Sequence, residues 1–336
     1  MAAPKSPRKG SLQFWPRKRA KKLLPSVNWG VIPTGSAKNL KGFIAYKAGM
    51  ASVLVKDKTP NSMTKDKQII LPATILECPP LKIFSVRFYK NNQLAKEILA
   101  GQLDKELKRA VKLPKKTPGP EGVSQRDDFI KPSSGVKIND VKTENYDDIS
   151  VIVYSQPKKI GLKKRPDLEN IGLAGSFSEK ISFVKENLNK EISIFDVFNG
   201  WQVADLRGLT KGKGFSGPVK RFGIKLRFHK TEKGQRKVSS IGPWHPARVT
   251  FRVPMAGQMG MFTRVHYNQK IISLGKFQKD ADEKLKNIKN YGDIKSDYIV
   301  IAGSVQGPAK RQLLITAPLR GSKDQLKKNY EFLELK

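Results

Sequence analysis

The segment from Asp205 to Arg221 sets four glycines, Gly208, Gly212, Gly214 and Gly217, among the cations Lys211, Lys213, Lys220 and Arg221. Glycine lets the backbone approach a surface closely, and the cations attract a surface that is anionic. This is phosphate-binding chemistry, and two small-ligand loops use it. A nucleoside-triphosphate loop needs two spaced glycines followed by Lys and then Ser or Thr. Here Ser216-Gly217 is followed by Pro218 and Val219, and no such pair stands in place. The dinucleotide pattern fits residues 212–217 as a bare string, but Pro218 and basic residues follow where an amphipathic helix is required.

The cations continue downstream. Lys225, Arg227, His229, Lys230, Lys233, Arg236 and Lys237 lead to Gly242-Pro243-Trp244-His245-Pro246, and Arg248, Arg252, Gln258, Arg264 and His266 line the return. Proline fixes φ, so the tip around Trp244 keeps its shape with few contacts. Tryptophans usually enter cores, but these polar, proline-rich flanks favour a ring that is exposed or covered by a partner. Gly257 and Gly260 again permit close backbone approach. A long two-stranded excursion of this kind needs external support for its backbone and its charge.

Other chemistries find no footing. No acid lies within twelve residues of His245 to orient it as a general base. His229, His245 and His266 lack metal-ligand spacing, and no thiols or acids complete a site. The one cysteine, Cys78, sits in an apolar stretch before Pro79-Pro80 and reads as a small buried hydrophobe. It also excludes an internal disulfide and suits a reducing compartment. Asp205 reads as an anchor for the turn that opens the basic excursion. No catalytic set and no cofactor cradle is found.

The 336 residues carry 65 Lys or Arg against 29 Asp or Glu, a net charge of +36. Residues 1–40 hold nine cations and no acid, and residues 206–276 hold sixteen cations and only Glu232. Residues 41–205 are balanced by comparison, with 28 cations and 20 acids. Two basic arms on an ordinary body therefore carry most of the excess, and a polyanion is the partner that relieves it. No apolar run is long enough for a membrane span or a secretion signal. The first arm holds Arg8, Lys9, Arg17, Lys18, Arg19, Lys21 and Lys22 among five prolines. It reads as an extension; Phe14, Trp15 and Trp29 argue against a merely solvated tail, since such rings stack on bases.

The elements that position these arms are mostly strands. Residues 42–49 and 51–55 predict two strands joined by a glycine turn, and 69–76, 82–89, 149–154, 192–198, 201–206, 271–274, 298–302 and 312–316 predict others. Leu94, Ile98, Leu103, Leu107 and Val111 predict an amphipathic helix, and Ser178 a cap for a second carrying Ile181, Val184 and Leu188. The expected organisation is a basic N-terminal extension (1–40), a first barrel part (41–90), an α-rich insertion (91–190), further barrel strands (191–206), a basic internal extension (207–270) and a last barrel part (271–336). Short strands on both sides of an excursion suggest a small closed β-barrel in a β-rich, α+β protein.

Phe198, Asp205, Gly208, Thr210, Gly212, Lys213, Gly214, Gly217 and Arg221 match the signature of the large-subunit ribosomal protein L3 family, which the sequence resembles. The tryptophan finger at 242–246, Ala256-Gly257-Gln258, and the blocks at 42–50 and 303–310 match as well, so the resemblance spans essentially the whole chain. Its length resembles archaeal members, and Glu232 departs from the basic residue or histidine of eukaryotic ones. The resemblance implies a translation-protein-type barrel seated on 23S-type rRNA. It implies an internal finger whose Trp244 lies toward the peptidyl-transferase centre, neighbouring ribosomal proteins, elongation factors close by, and a cytoplasmic structural role in the large subunit with no cofactor.

The rRNA contacts then expected are Arg8, Lys9, Trp15, Arg17, Lys18, Arg19, Lys21 and Lys22 on the first arm. On the second they are Lys211, Lys213, Lys220, Arg221, Lys225, Arg227, Arg236, Lys237, Trp244, His245, Arg248, Arg252, Gln258, Arg264 and His266. Gly212, Gly214, Gly217 and Gly257 would bring the backbone close to RNA. The competing readings are an RNA-modifying enzyme and a generic basic binder of nucleic acid or membrane surface. Gly/Pro-rich arms do not form the basic amphipathic helices that a membrane surface favours.

Overall fold

The computed structural model describes residues 9–33, 40–113, 129–130, 146–198, 200–277 and 283–336. Arg8, an expected RNA contact, lies outside the described residues. The chain forms two compact units, one of Met1–Leu23 with Leu209–Arg264 and the other of Leu24–Gly208 with Val265–Lys336.

The larger unit is built on strands β1 (Gly42–Asp57), β2 (Gln68–Glu77), β3 (Leu81–Lys90), β4 (Gln93–Leu99), β5 (Leu103–Asp104), β6 (Phe129–Ile130), β7 (Asp148–Ser155) and β8 (Leu168–Gly172). Helices α1 (Phe177–Asn187) and α2 (Ile194–Phe198) precede β9 (Val203–Leu209). After the excursion, which holds β10 (Phe215–Ser216), α3 (Pro218–Phe222) and β11 (Gly257–Gln258), come β12 (Thr263–Gly275), β13 (Tyr298–Ala302), β14 (Gln312–Thr316), α4 (Lys323–Lys327) and β15 (Tyr330–Leu335). The protein is β-rich, as expected.

Seven strands pair in the order β14-β9-β12-β13-β2-β1-β15, and β1 also pairs with β14. The sixteen residues of β1 make this possible. Its first half registers Gly42 with Thr316 through Tyr46 with Gln312, and its second half pairs with β15 from Val53 to Asp57. The expected glycine turn near residue 49 is instead a bulge, where the β1–β2 register shifts between Lys47 and Gly49. A bulge bends a strand and increases its twist without ending it. Gly42 to Tyr46 are buried in succession, as in a strand covered on both faces, whereas burial alternates from Ala51.

A second sheet runs β4-β3-β7-β8. It occupies much of the described part of the insertion, whose described residues are more strand than helix. The helix expected through Leu94–Val111 is replaced by β4, β5 and a 3-10 turn at Lys105–Arg109. Asn91 and Asn92 both take positive φ, 50° and 60°, and Lys90 pairs with Gln93. That is a two-residue hairpin turn, whose twist suits the flanking strands and which asparagine tolerates well. Helix α1 does form, with Ser176 as its cap and Glu179 returning the bond, two residues before the expected Ser178. Residues 194–198, expected as strand, are helical because Asp196 accepts from both the backbone N and the hydroxyl of Ser193. The strand β15 was not foreseen.

Residues 24–33, expected in the first arm, belong to this unit. Leu24 and Ile32 are buried, and the Trp29 indole N–H donates to the Asn170 carbonyl at 2.8 Å. A Cβ at Gly172 would lie 2.5 Å from that of Trp29, so the half-buried ring rests on a glycine floor within this unit. Asp205 is fully buried and accepts from the backbone N of Asn268 and of Leu319, so it ties β12 and the segment after β14 rather than the turn that opens the excursion. Cys78 is buried, and burial pushes its thiol well above the ordinary range.

At the end of β1, Asp57 accepts from Thr59 N at 2.9 Å, Ser62 Oγ at 2.8 Å and Thr64 Oγ1 at 2.6 Å. These bonds hold its carboxyl well below the usual carboxylate range. Such a group adds stability above about pH 4, where the unfolded chain ionises, and loses it as pH falls toward the folded value. Asp57→Asn is expected to lower the thermal midpoint at pH 7 by roughly 4 °C. It should also flatten the loss of stability between about pH 4 and pH 2. Equal slopes for the two proteins in that window would refute the linkage.

Candidate nucleic-acid interface

The smaller unit brings both basic arms together, which neither local sequence reveals. Of its described residues, nineteen are Lys or Arg and Glu232 is the only acid. Its frame is the pairing of the glycine-rich loop with the returning limb. Thr210 N donates to Phe262 O at 3.0 Å, Lys213 N to Met259 O at 2.9 Å and Met259 N to Gly214 O at 2.8 Å, before Phe215 pairs with Gln258. The regular ladder is only two residue pairs long, and most of residues 224–256 are turns and bends. The expected two-stranded excursion is therefore confined to its base. At Gly260 (φ 76°) a Cβ would stand 2.0 Å from the Lys211 carbonyl, so only glycine lets the limbs close.

Lys211 and Lys213 are exposed on this loop, as is Phe215 at 82%. Gly212 between the lysines is pressed toward Met261, where a Cβ would meet Cγ at 3.0 Å. Gly214 takes φ 61° and faces open space, as does Gly217. Gly217 is the N-cap of α3, with Pro218 next and Gly223 closing the helix at φ 62°. That short helix turns Lys220 outward and Phe222 inward.

Trp15 stacks on Phe222, with centroids 4.9 Å apart and planes at 28°, and meets Phe251 edge-on at 6.3 Å. Arg17 lies 4.3 Å above the Phe222 ring and donates to the Arg221 carbonyl at 2.7 Å. Arg221 returns a bond to the Arg17 carbonyl at 3.3 Å and donates to Gln258 O at 3.0 Å and Met255 O at 2.9 Å. A Cβ at Gly257 would meet the Arg221 guanidinium at 3.1 Å, so this glycine makes room for an arginine of the same chain. Arg264 covers Phe14 at 4.1 Å, and Ala20 N donates to Met261 O at 2.9 Å. Burial and then the charges of Arg221 and Arg264 lower the Arg17 pKa; burial lowers that of Arg221.

The expected contacts thus divide. Trp15, Arg17 and Arg221 make internal bonds or stacks that tie the arms to each other, while Gln258 donates within its own limb to Met259 O and Gly260 O, both at 3.1 Å. Arg227 is half-buried and donates to Val238 O, while Lys9 is half-buried. Lys18, Arg19, Lys21, Lys22, Lys211, Lys213, Lys220, Lys225, Arg236, Lys237, Arg248 and Arg252 are exposed. In the larger unit His266 is exposed too. The tip is open: Trp244 is 88% exposed, His245 is exposed, and a concavity of about 420 Å³ lies among Ile241, Pro243, Trp244, Pro246 and Arg248. Phe215, Phe228 and Phe251 are further exposed aromatics among cations, beyond the contacts expected from the sequence. Their interleaving with Lys and Arg was the available signal.

Such a surface can neutralise phosphates with lysines and stack bases on exposed rings. Among the described residues no cluster of His, Cys, Asp and Glu could hold a metal, and no helix is long and apolar enough to cross a membrane. A sequence model of the family described as "Ribosomal protein L3" matches residues 1–334. The large ribosomal subunit protein uL3 of Methanocaldococcus jannaschii is 38% identical over 331 residues, covering 96% of this chain and 93% of that protein. The protein of the same name from Methanococcus vannielii is 39% identical over 328 residues, covering 95% and 93%.

Proposed function

This chain belongs to the ribosomal protein L3 family, and from that premise we propose that its smaller, cationic unit is the part that enters folded rRNA. The protein is a structural constituent of the large ribosomal subunit, assembled there with rRNA and other ribosomal proteins, and is not an enzyme. The observation that carries the proposal is the joining of both arms into one unit whose described residues include nineteen cations and a single acid. A unit of that composition gains by displacing counterions from RNA phosphates. RNA recognition of this kind reads shape, 2′-hydroxyls and unstacked bases.

Within that unit Lys211, Lys213, Lys220, Lys225, Arg236, Lys237, Arg248 and Arg252 make the phosphate contacts, with Lys18, Arg19, Lys21 and Lys22 from the first arm. Trp15, Arg17 and Arg221 hold the arms in one body. Trp244, at the exposed tip, steadies an RNA conformation near the peptidyl-transferase centre while RNA performs the reaction, and the surrounding surface lies near the elongation-factor region. The larger unit is the seat. The cycle of pairings β14-β9-β12-β13-β2-β1 and back to β14 reads as a small closed translation-type barrel, with β15 appended to β1.

Crosslinking from Trp244 and from the 211–221 loop in assembled subunits, followed by sequencing of the attached nucleotides, tests this. Trp244 is expected to mark nucleotides around the reaction centre. Trp244→Ala, at an exposed site, should leave unfolding within about 0.5 kcal/mol of the parent yet slow peptide-bond formation in reconstituted subunits. Crosslinks confined to the subunit exterior, or loss of the fold in this variant, would overturn the tip assignment.

A further inference from the structure

We propose a third phosphate-binding surface, on the larger unit and separate from both arms: a cationic concavity that holds two neighbouring phosphates of an RNA strand. It is formed where the loop between β7 and β8 faces the 3-10 turn at Lys105–Arg109. Residues 105–112 and 158–165 together contain nine Lys or Arg and one acid, Glu106. The balanced charge of the body as a whole conceals this. The space between them has a volume of about 450 Å³ and is lined by Glu106, Arg109, Lys158, Leu162, Lys163 and Lys164.

Both walls are held in place. Leu107 is fully buried beneath the 3-10 turn. The loop turns through Gly161 N to Lys158 O at 3.0 Å and Leu162 N to Pro157 O at 3.0 Å, and Ile160 is buried at its centre. Asp167 ties the far end, receiving Lys163 Nζ and the Tyr46 hydroxyl, the latter at 2.5 Å. The carboxylates here orient lysines: Glu106 pairs with Lys158 at 2.9 Å, and Glu191 with Lys159. Arg109, Lys164 and Arg165 are exposed and have no carboxylate partner among the described residues. Lys295 adds a further charge at the rim, its Nζ 3.9 Å from where a Gly161 Cβ would stand.

The chemistry favours a phosphate backbone over an acidic protein segment. The lining has a single half-buried leucine, no aromatic ring and no paired-strand edge to anchor a peptide. Lysines and one arginine converging without an aromatic ring suit contacts made mainly to the phosphate backbone, which position RNA.

The test uses the full chain with a 23S-type rRNA transcript and, separately, polyglutamate. The triple variant R109Q/K158Q/K164Q leaves Lys163 and Asp167 intact. The slope of log affinity for the transcript against log salt is expected to fall by about 1.4 to 1.8, and affinity at 0.1 M salt by about 25- to 60-fold. In the parent protein, bound transcript is expected to protect Lys164 from amine acylation, a readout that stands even if the variant fails to fold. The variant K211Q/K213Q/K220Q is the control for the arms. If it weakens binding while the body variant does not, the body site is wrong and the arms reading stands; if neither changes binding, both fall. Protection of Lys164 by polyglutamate and not by RNA would overturn the site in favour of a protein partner.

Discussion

The variant K211Q/K213Q/K220Q is expected to bind large-subunit rRNA about a hundred- to a thousandfold more weakly than the parent at 0.1 M monovalent salt. All three lysines are exposed, and the only acid in their unit is Glu232. Each phosphate deprived of its lysine lowers the slope of log affinity against log salt by roughly 0.7 to 0.9. At 0.1 M salt, one unit of slope corresponds to about tenfold in affinity. The folded body should not notice the change, because exposed substitutions of this kind usually alter stability by less than about 0.5 kcal/mol. Filter binding across a salt series, with thermal unfolding as the control, measures both. An unchanged slope with normal incorporation into subunits would remove the loop from the RNA interface.

Arg221→Ala is expected to act through the protein itself. Its guanidinium serves the carbonyls of Gln258, Met255 and Arg17, and it lies 5.0 Å over the Phe222 ring. Hydrogen bonds from a charged donor contribute about 1.5–3 kcal/mol each, but carbonyls that regain water recover part of the loss. Removing Arg221 also relieves its repulsion of Arg17, on the order of 1 kcal/mol for a pair near the surface. The net cost to the smaller unit is therefore about 3 kcal/mol. Protease should cleave residues 9–23 and 224–256 markedly faster in the variant, while the larger unit keeps its unfolding midpoint. Arg221→Lys should recover little, since an ammonium cannot span three carbonyls with a planar fork. Cleavage at the parent's rate would show that the arms are not joined through this residue.

Much of the body was legible. Strands β2, β3, β7, β13 and β14 fall where alternation and β-branched content placed them, because a strand's burial pattern is written in a window of five to ten residues. Some misses were also local. The asparagine pair at 91–92 and the Ser193–Asp196 cap were readable, but the spacing of Leu94, Ile98 and Leu103 and the apolar run near residue 194 outweighed them. Trp29 was misassigned because its acceptor, the Asn170 carbonyl, is 141 residues away.

The amino-acid sequence alone determined the net charge, its concentration in two arms, the absence of a catalytic set and the glycine–lysine loop that carries the family resemblance. Each of these is a property of composition or of a short window. Only the tertiary structure decided which cations remain free. Arg17 and Arg221, 204 residues apart, bond to each other's carbonyls and become joints, while Lys164 and Arg109 of the more evenly charged body converge on one concavity. A guanidinium bonds whatever acceptor the folded chain brings within about 3 Å. That neighbour is set by the closure of long loops, which no local pattern records.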